Sequence, residues 1–313
     1  MIRIDTHHHF FPPGYAEKIG DEAIAGFLVS GRVPQWDASR SLEVLDRNGI
    51  ATALLSLSSP AVSPVHSASR AKLARSCNEY AATLNRDHPG RFGSLATLPL
   101  PDIDQSLEEI QYASRDLQCD GFCLLSNYQG RYLGDACFAP IFEELDRHAS
   151  VVFVHPTMPE PQPFSVNLPA ASIEFPFDTT RAVASLLFSG TFVRYSNVRF
   201  VFAHAGGTIP LLSARLARLE SQARFRDAVP GGVLASLKAL YFDTALSVDP
   251  YTAAALLRFA SPSRIVFGSD FPHAGTQIVD TALSDLRAAV PDLDVLEAIE
   301  HINARALLDK RSG

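Results

Sequence analysis

The chain has 313 residues, 47% of them hydrophobic and 19% charged, with 27 Lys+Arg against 34 Asp+Glu for a formal net charge of −7. That hydrophobic content excludes a disordered chain, and the length can bury a sizeable core without disulfide staples. The acidic balance, with no Lys/Arg-rich stripe to track phosphates, argues against a nucleic-acid partner.

In chain order, the opening Met1-Ile2-Arg3-Ile4-Asp5 puts an acid where a secretory signal needs an apolar stretch, so the expected compartment is the cytoplasm. Short β-rich apolar runs then recur at residues 2–6, 51–57, 92–97, 121–125, 151–154, 198–202, 240–243 and 265–267. Between them lie amphipathic stretches, such as residues 107–117, 142–148 and 209–219. Eight such units predict parallel strands with crossover helices, the pattern of a (β/α)8 TIM barrel in one α/β domain spanning the chain. An open doubly wound sheet would carry Gly-x-Gly-x-x-Gly after an early strand, and none is present.

Two stretches read as insertions over the C-terminal mouth of the barrel. Residues 10–40 carry Pro12-Pro13-Gly14 and Trp36, and residues 156–176 are proline-rich. The longest apolar runs, residues 50–57 and 182–188, fall short of the ~18–20 residues that span a bilayer, so no membrane partner is expected. Cys77, Cys119, Cys123 and Cys137 form no disulfide framework and read as buried small hydrophobes in a reducing compartment.

Chemistry-bearing residues gather at strand ends. Side chains alternate along an extended chain, so in Asp5-Thr6-His7-His8-His9 the imidazoles of His7 and His9 converge while His8 points away. His155 closes the fifth run, His204 the sixth and Asp270 the eighth. A divalent ion needs three or four N/O ligands from rigid elements, and this set supplies them without a thiolate. That points to zinc, with manganese or iron as other borderline choices, and to no organic cofactor. Asp243, ending the seventh run, is placed to orient a ligating histidine, and His273 to line the pocket. The aromatic residues Phe10, Phe11, Trp36, Phe164, Phe175 and Phe271 would suit a flat ring.

The Asp5-x-His7-x-His9 start, His155, His204-Ala205-Gly206-Gly207 and Gly268-Ser269-Asp270-Phe271-Pro272 resemble the amidohydrolase superfamily. Residues 175–181 and His301-Ile302-Asn303-Ala304 extend the likeness to its decarboxylase branch, which holds the aminocarboxymuconate semialdehyde, γ-resorcylate and 6-methylsalicylate decarboxylases. The resemblance implies that His7, His9, His155 and Asp270 bind the metal and that His204 is an acid/base beside it. It implies a single ion, because residues 120–127 lack the lysine that binuclear relatives carbamylate. It also implies a homodimer in which Arg215, eleven positions after His204, reaches a partner's substrate carboxylate. Arg32, four positions before Trp36, would correspond to a second carboxylate clamp.

The expected reaction is non-oxidative decarboxylation of a small aromatic or unsaturated acid, a hydroxybenzoate or muconate-type compound. The metal would orient the acid, and the His204/Asp270 pair would protonate the carbon that bears the carboxylate. The alternative is hydrolysis of a lactone, ester or amide by metal-activated water.

Overall fold

The computed structural model describes residues 2–161 and 168–309. Eight strands run in sequence order: β1 Arg3–His9, β2 Ile50–Ser56, β3 Phe92–Thr97, β4 Gly121–Leu125, β5 Val151–His155, β6 Arg199–Phe202, β7 Tyr241–Asp243 and β8 Ile265–Val266. Neighbours pair in parallel from β1 to β8. The last strand closes on the first, with Thr6 N–H donating to Phe267 O at 2.9 Å and His9 N–H to Phe271 O at 2.7 Å. The result is the expected (β/α)8 barrel.

One main helix follows each strand: α1 Ala38–Arg47, α2 Ser67–Asp87, α3 Ile103–Arg115, α4 Ala139–Arg147, α5 Glu174–Phe188, α6 Ile209–Ala217, α7 Pro250–Phe259 and α8 Thr276–Ala289. Aspartates set several starts, since Asp37, Asp102 and Asp249 each accept a backbone N–H from the first turn that follows. The Asp102 cap starts α3 at Ile103, four residues before the amphipathic pattern alone places it.

The period of two along each strand sorts side chains between two cores. On β5, Val152 and Val154 pack outward against the helices, whereas Val151 and Phe153 fill the barrel interior. On β6, Phe200 and Phe202 face the helices and Val201 the interior. Ala304 and Leu307, from the helix Asn303–Leu308, join the interior cluster at the opposite end from the strand C-termini. His155 continues the inward alternation of Val151 and Phe153, so the β5 pattern itself aims that imidazole at the barrel axis.

The two insertions meet over the strand C-termini, where Ala171 N–H donates to Phe27 O at 3.2 Å. Residues 162–167, with Phe164, lie outside the described residues. No described helix is long and apolar enough to cross a membrane, and none of the four cysteines is in a disulfide.

Candidate active site

β1 delivers two imidazoles to one point. The Nε2 atoms of His7 and His9 lie 2.9 Å apart, while His8 turns away to Asp5 Oδ2 and to Ser41 Oγ on α1, each at 3.0 Å. Gly268 lets the β8 end approach: a Cβ there would sit 2.8 Å from His7 Cβ. That approach brings Asp270 Oδ1 to 3.3 Å from both His7 Nε2 and His9 Nε2. The ligand atoms of His7, His9, His155 and Asp270 all lie within 4.8 Å of one another, and all four residues are buried.

The outer nitrogens fix which lone pairs face this point. His7 Nδ1 meets Asp243 Oδ2 at 2.6 Å, His9 Nδ1 meets Ser56 O at 3.2 Å, and His155 Nδ1 meets Pro156 O at 2.8 Å. Each acceptor demands a proton on Nδ1, so Nε2 is the nitrogen that each ring turns inward. Asp270 Oδ1 is buried beside them without a hydrogen-bond donor. Three inward ring nitrogens and a carboxylate oxygen within 4.8 Å of one another need a proton or a cation between them, so the residues fit a divalent metal.

The electrostatics agree. Burial alone would strip the proton from His7, but Asp243 and Asp270 outweigh it and raise the pKa to about 10. Burial lowers His9 to about 4 despite the nearby Asp270 carboxylate, and burial with the nearby His9 and His7 holds His155 well below the usual imidazole range. Burial opposes ionisation of Asp270, yet the charge on His7 and the close imidazoles of His204, His7 and His9 keep it well below the usual carboxylate range. The charged groups where the four ligand atoms converge are therefore His7 and Asp270, while His9 and His155 stay neutral beside them.

His204 stands at the rim of this cluster. Its Nε2 lies 3.6 Å from Asp270 Oδ2, its backbone N–H donates to Asp243 Oδ1 at 2.8 Å, and its φ of 54° is left-handed, as is that of Ala205. Asp270 is left-handed too, at 60°. Non-glycine residues in this region store strain that the surroundings must hold, and here both belong to the cluster.

A cavity of about 460 Å³ opens from the cluster, bounded by His155, His204, Asp270 and His273 on one side and by Phe175 and Leu28 from the two insertions on the other. The Phe175 ring meets His155 edge-on at 5.8 Å. His273 donates or accepts at Ser58 Oγ, 2.8 Å away, and burial lowers its pKa to about 3, so it is neutral.

The other expected contacts are placed elsewhere. Arg32 is exposed and lines a separate groove with Arg40 and Arg47 on the far side of His273. Trp36 donates to Ser41 Oγ at 2.8 Å and packs edge-on to Phe10. Phe271 packs with Val44, Ala274 and Val279 and lies against the His8 ring. All three lie toward α1 and its flank and do not line the cavity: Arg32 and Trp36 sit in the segment that leads into α1, and Phe271 on the segment that leads from Asp270 to α8. Arg215 is exposed on α6. Among the described residues, no Lys or Arg lines the cavity.

Sequence reading missed the cavity's apolar rim, Leu211, Leu246 and Tyr251, which carries no motif. It also gave no role to Asp178, although a carboxylate within the apolar stretch Ala182–Leu187 and Phe175–Phe177 of one helix is itself a signal of a buried partner.

Comparisons with known proteins agree with this geometry. The Amidohydro_2 (amidohydrolase) family model matches residues 4–310. The decarboxylase yanB of Aspergillus niger is 39% identical over 295 residues, covering 90% of this chain and 80% of that protein. The 6-methylsalicylic acid decarboxylase acuB of Aspergillus aculeatus is 36% identical over 315 residues, covering 96% and 94%. Among solved structures, an amidohydrolase II has a TM-score of 0.89 at 27% identity, over 98% of this chain and 99% of that one. A dihydroxybenzoic acid decarboxylase from Polaromonas sp. JS666, with bound manganese and the inhibitor 2-nitroresorcinol, shares the fold with a TM-score of 0.82 at 20% identity, over 99% and 98%.

Proposed function

The chain belongs to the Amidohydro_2 amidohydrolase family, and on that premise we propose that it is a metal-dependent, non-oxidative decarboxylase of a small aromatic carboxylic acid such as a hydroxybenzoate. The observation that carries this reading is the convergence of His7, His9, His155 and Asp270 beside an apolar cavity that also holds His204. A bound divalent ion supplies Lewis-acid stabilisation and an anchor for a carboxylate with its neighbouring phenolic oxygen. The chain's own residues do the rest. Phe175 and Leu28 hold the ring against the cluster and exclude water. The His204–Asp270 pair delivers a proton to the ring carbon that bears the carboxylate, and the C–C bond electrons then return to the ring as CO2 leaves. Hydrolysis by the same donor set is not favoured, because the curated relatives are carboxy-lyases.

The three-imidazole, one-carboxylate donor set supports zinc as the ion, and the manganese of the Polaromonas decarboxylase makes manganese the competing outcome of a loading experiment. We read the active form as a homodimer. Leu211, Leu246 and Tyr251 at the cavity rim are 74%, 52% and 87% exposed, an apolar margin that a second copy would cover. Such a copy would also bring Arg215, on the same helix as Leu211, toward a carboxylate in a cavity that no described Lys or Arg lines. Unbridged thiols suit a reducing, cytoplasmic compartment.

The test is a panel of hydroxybenzoates and muconate-type acids with zinc- or manganese-loaded protein, following CO2 and ultraviolet absorbance together. Stoichiometric CO2 with no solvent oxygen-18 in the organic product is expected. A product that gains one solvent oxygen without CO2 release would replace this reading with the hydrolase one.

A further inference from the structure

Asp178 is a fully buried carboxylate on α5, outside the metal cluster, and everything bonded to it is a donor. Tyr132 OH donates to Oδ1 at 2.6 Å, and Asn127 Nδ2 donates to Oδ2 at 2.9 Å. Ser126 Oγ makes a short hydrogen bond to the same Oδ2. Ser126 directly follows β4 and grips the end of β5 twice. Its N–H donates to His155 O at 2.9 Å, and its Oγ accepts the Thr157 N–H, also at 2.9 Å.

The Thr157 N–H and the Pro156 C=O belong to one rigid peptide plane. On its other edge, Pro156 O accepts His155 Nδ1–H at 2.8 Å. A chain of donors thus runs from His155 Nδ1 through the Pro156–Thr157 peptide and the Ser126 hydroxyl to Asp178. Because Ser126 Oγ accepts from Thr157, its own proton goes to Asp178, so the carboxylate fixes the one link that could turn and the peptide groups fix the others.

We infer that Asp178 is a positioning residue for His155, acting through Ser126 and the Pro156–Thr157 peptide to hold the imidazole in its Nδ1–H form with Nε2 directed at the ligand cluster. The inference rests on reading His155 as a metal ligand. It does not depend on which reaction the centre catalyses. Partners that orient a ligating histidine are worth 10–100-fold in metal affinity, and here the partner is reached through a peptide instead of touching the ring.

The test measures zinc affinity by competition titration and the His155 imidazole tautomer by nitrogen-15 NMR of the metal-free protein. Ser126→Ala cuts the chain at one uncharged link, and Asp178→Asn turns an amide donor toward Ser126, Asn127 or Tyr132. Each is expected to raise the zinc dissociation constant about tenfold or more and to lower the Nδ1–H population of His155. The double variant should be no worse than the worse single one, because both act along one path. Tyr132→Phe removes a bond to the other carboxylate oxygen and should stay within about twofold of the parent.

Wild-type affinity and an unchanged His155 signal in folded Ser126→Ala would overturn the inference. So would equal losses in Tyr132→Phe, which would reduce Asp178 to packing support. If Asp178→Asn fails to fold, Ser126→Ala decides. A parent that binds zinc but releases no CO2 would count against the decarboxylase reading alone, and a parent that binds no zinc leaves the NMR measurement to decide this one.

Discussion

His7 and His9 present their Nε2 atoms to each other at 2.9 Å while Asp243 and the Ser56 carbonyl engage their Nδ1 atoms. Two imidazoles in that geometry need either a shared proton or a cation. In the metal-free chain the proton belongs to His7, whose pKa is raised to about 10 against burial by Asp243 and Asp270, whereas His9, at about 4, accepts.

Metal binding must therefore displace one proton across the neutral range. Below pH 10 His7 is protonated in the free protein, whereas His9, at about 4, and His155, held well below the usual imidazole range, are already neutral near pH 7, so only His7 releases a proton. Affinity should rise about tenfold per pH unit between roughly pH 6 and 9. Calorimetry in two buffers of different ionisation enthalpy should count about one proton released per ion. A count of zero would mean that His7 is already neutral before the ion arrives.

Asp243 serves two members of the site, through Oδ2 to His7 Nδ1 and through Oδ1 to the His204 and Ala245 N–H groups. Asp243→Ala should weaken metal binding about 10–100-fold. Saturating metal should not restore kcat, because the left-handed turn at His204 has also lost its anchor. Full recovery of kcat at high metal would separate the two roles and remove the second.

His204 places its Nε2 3.6 Å from Asp270 Oδ2 and packs its ring beside those of His7 and His155 at 5.0 and 5.9 Å between centroids. His204→Ala should therefore keep its metal, measured by elemental analysis, while kcat falls about 10²–10⁴-fold, the range for loss of a general acid or base. A metal-replete variant with near-parental turnover would move the proton transfer to Asp270 alone.

The barrel was legible because eight apolar runs and their amphipathic followers repeat a single local rule, and the strands at residues 92–97 and 121–125 match to the residue. The ligand cluster was legible for the same reason, since each member ends a strand and alternation settles its face, down to His8 turning away from His7 and His9. Arg32, Trp36 and Phe271 were not legible. They sit where a loop leaves the strand pattern, and no period in the sequence says which way Phe271 turns once the chain has passed Asp270. The partners of Asp178 were illegible for a different reason: Ser126 and Tyr132 are some fifty residues away, a pairing that only the folded barrel creates.

Gly207 offers a test of how the site's backbone is held. The glycine sits at a φ of +65°, and a Cβ there would meet Pro176 O at 2.1 Å and Thr180 Oγ1 at 2.9 Å. Thr180 in turn bonds Pro176 O and the Thr208 N–H, so α5 cannot back away without breaking the contacts that seat the turn after His204. Gly207→Ala adds both a left-handed alanine and a backbone clash, and should lose about 2 kcal/mol or more of stability. In a chain of this size that corresponds to a fall of about 4 °C or more in Tm. Gly231 is the control, because nothing lies within 4 Å of a Cβ built there and its φ is not left-handed. Gly231→Ala should melt within about 2 °C of the parent. Equal Tm values for the two variants would show that the turn after His204 can shift to accept a side chain, and that the tight seat on Pro176 does not hold the site.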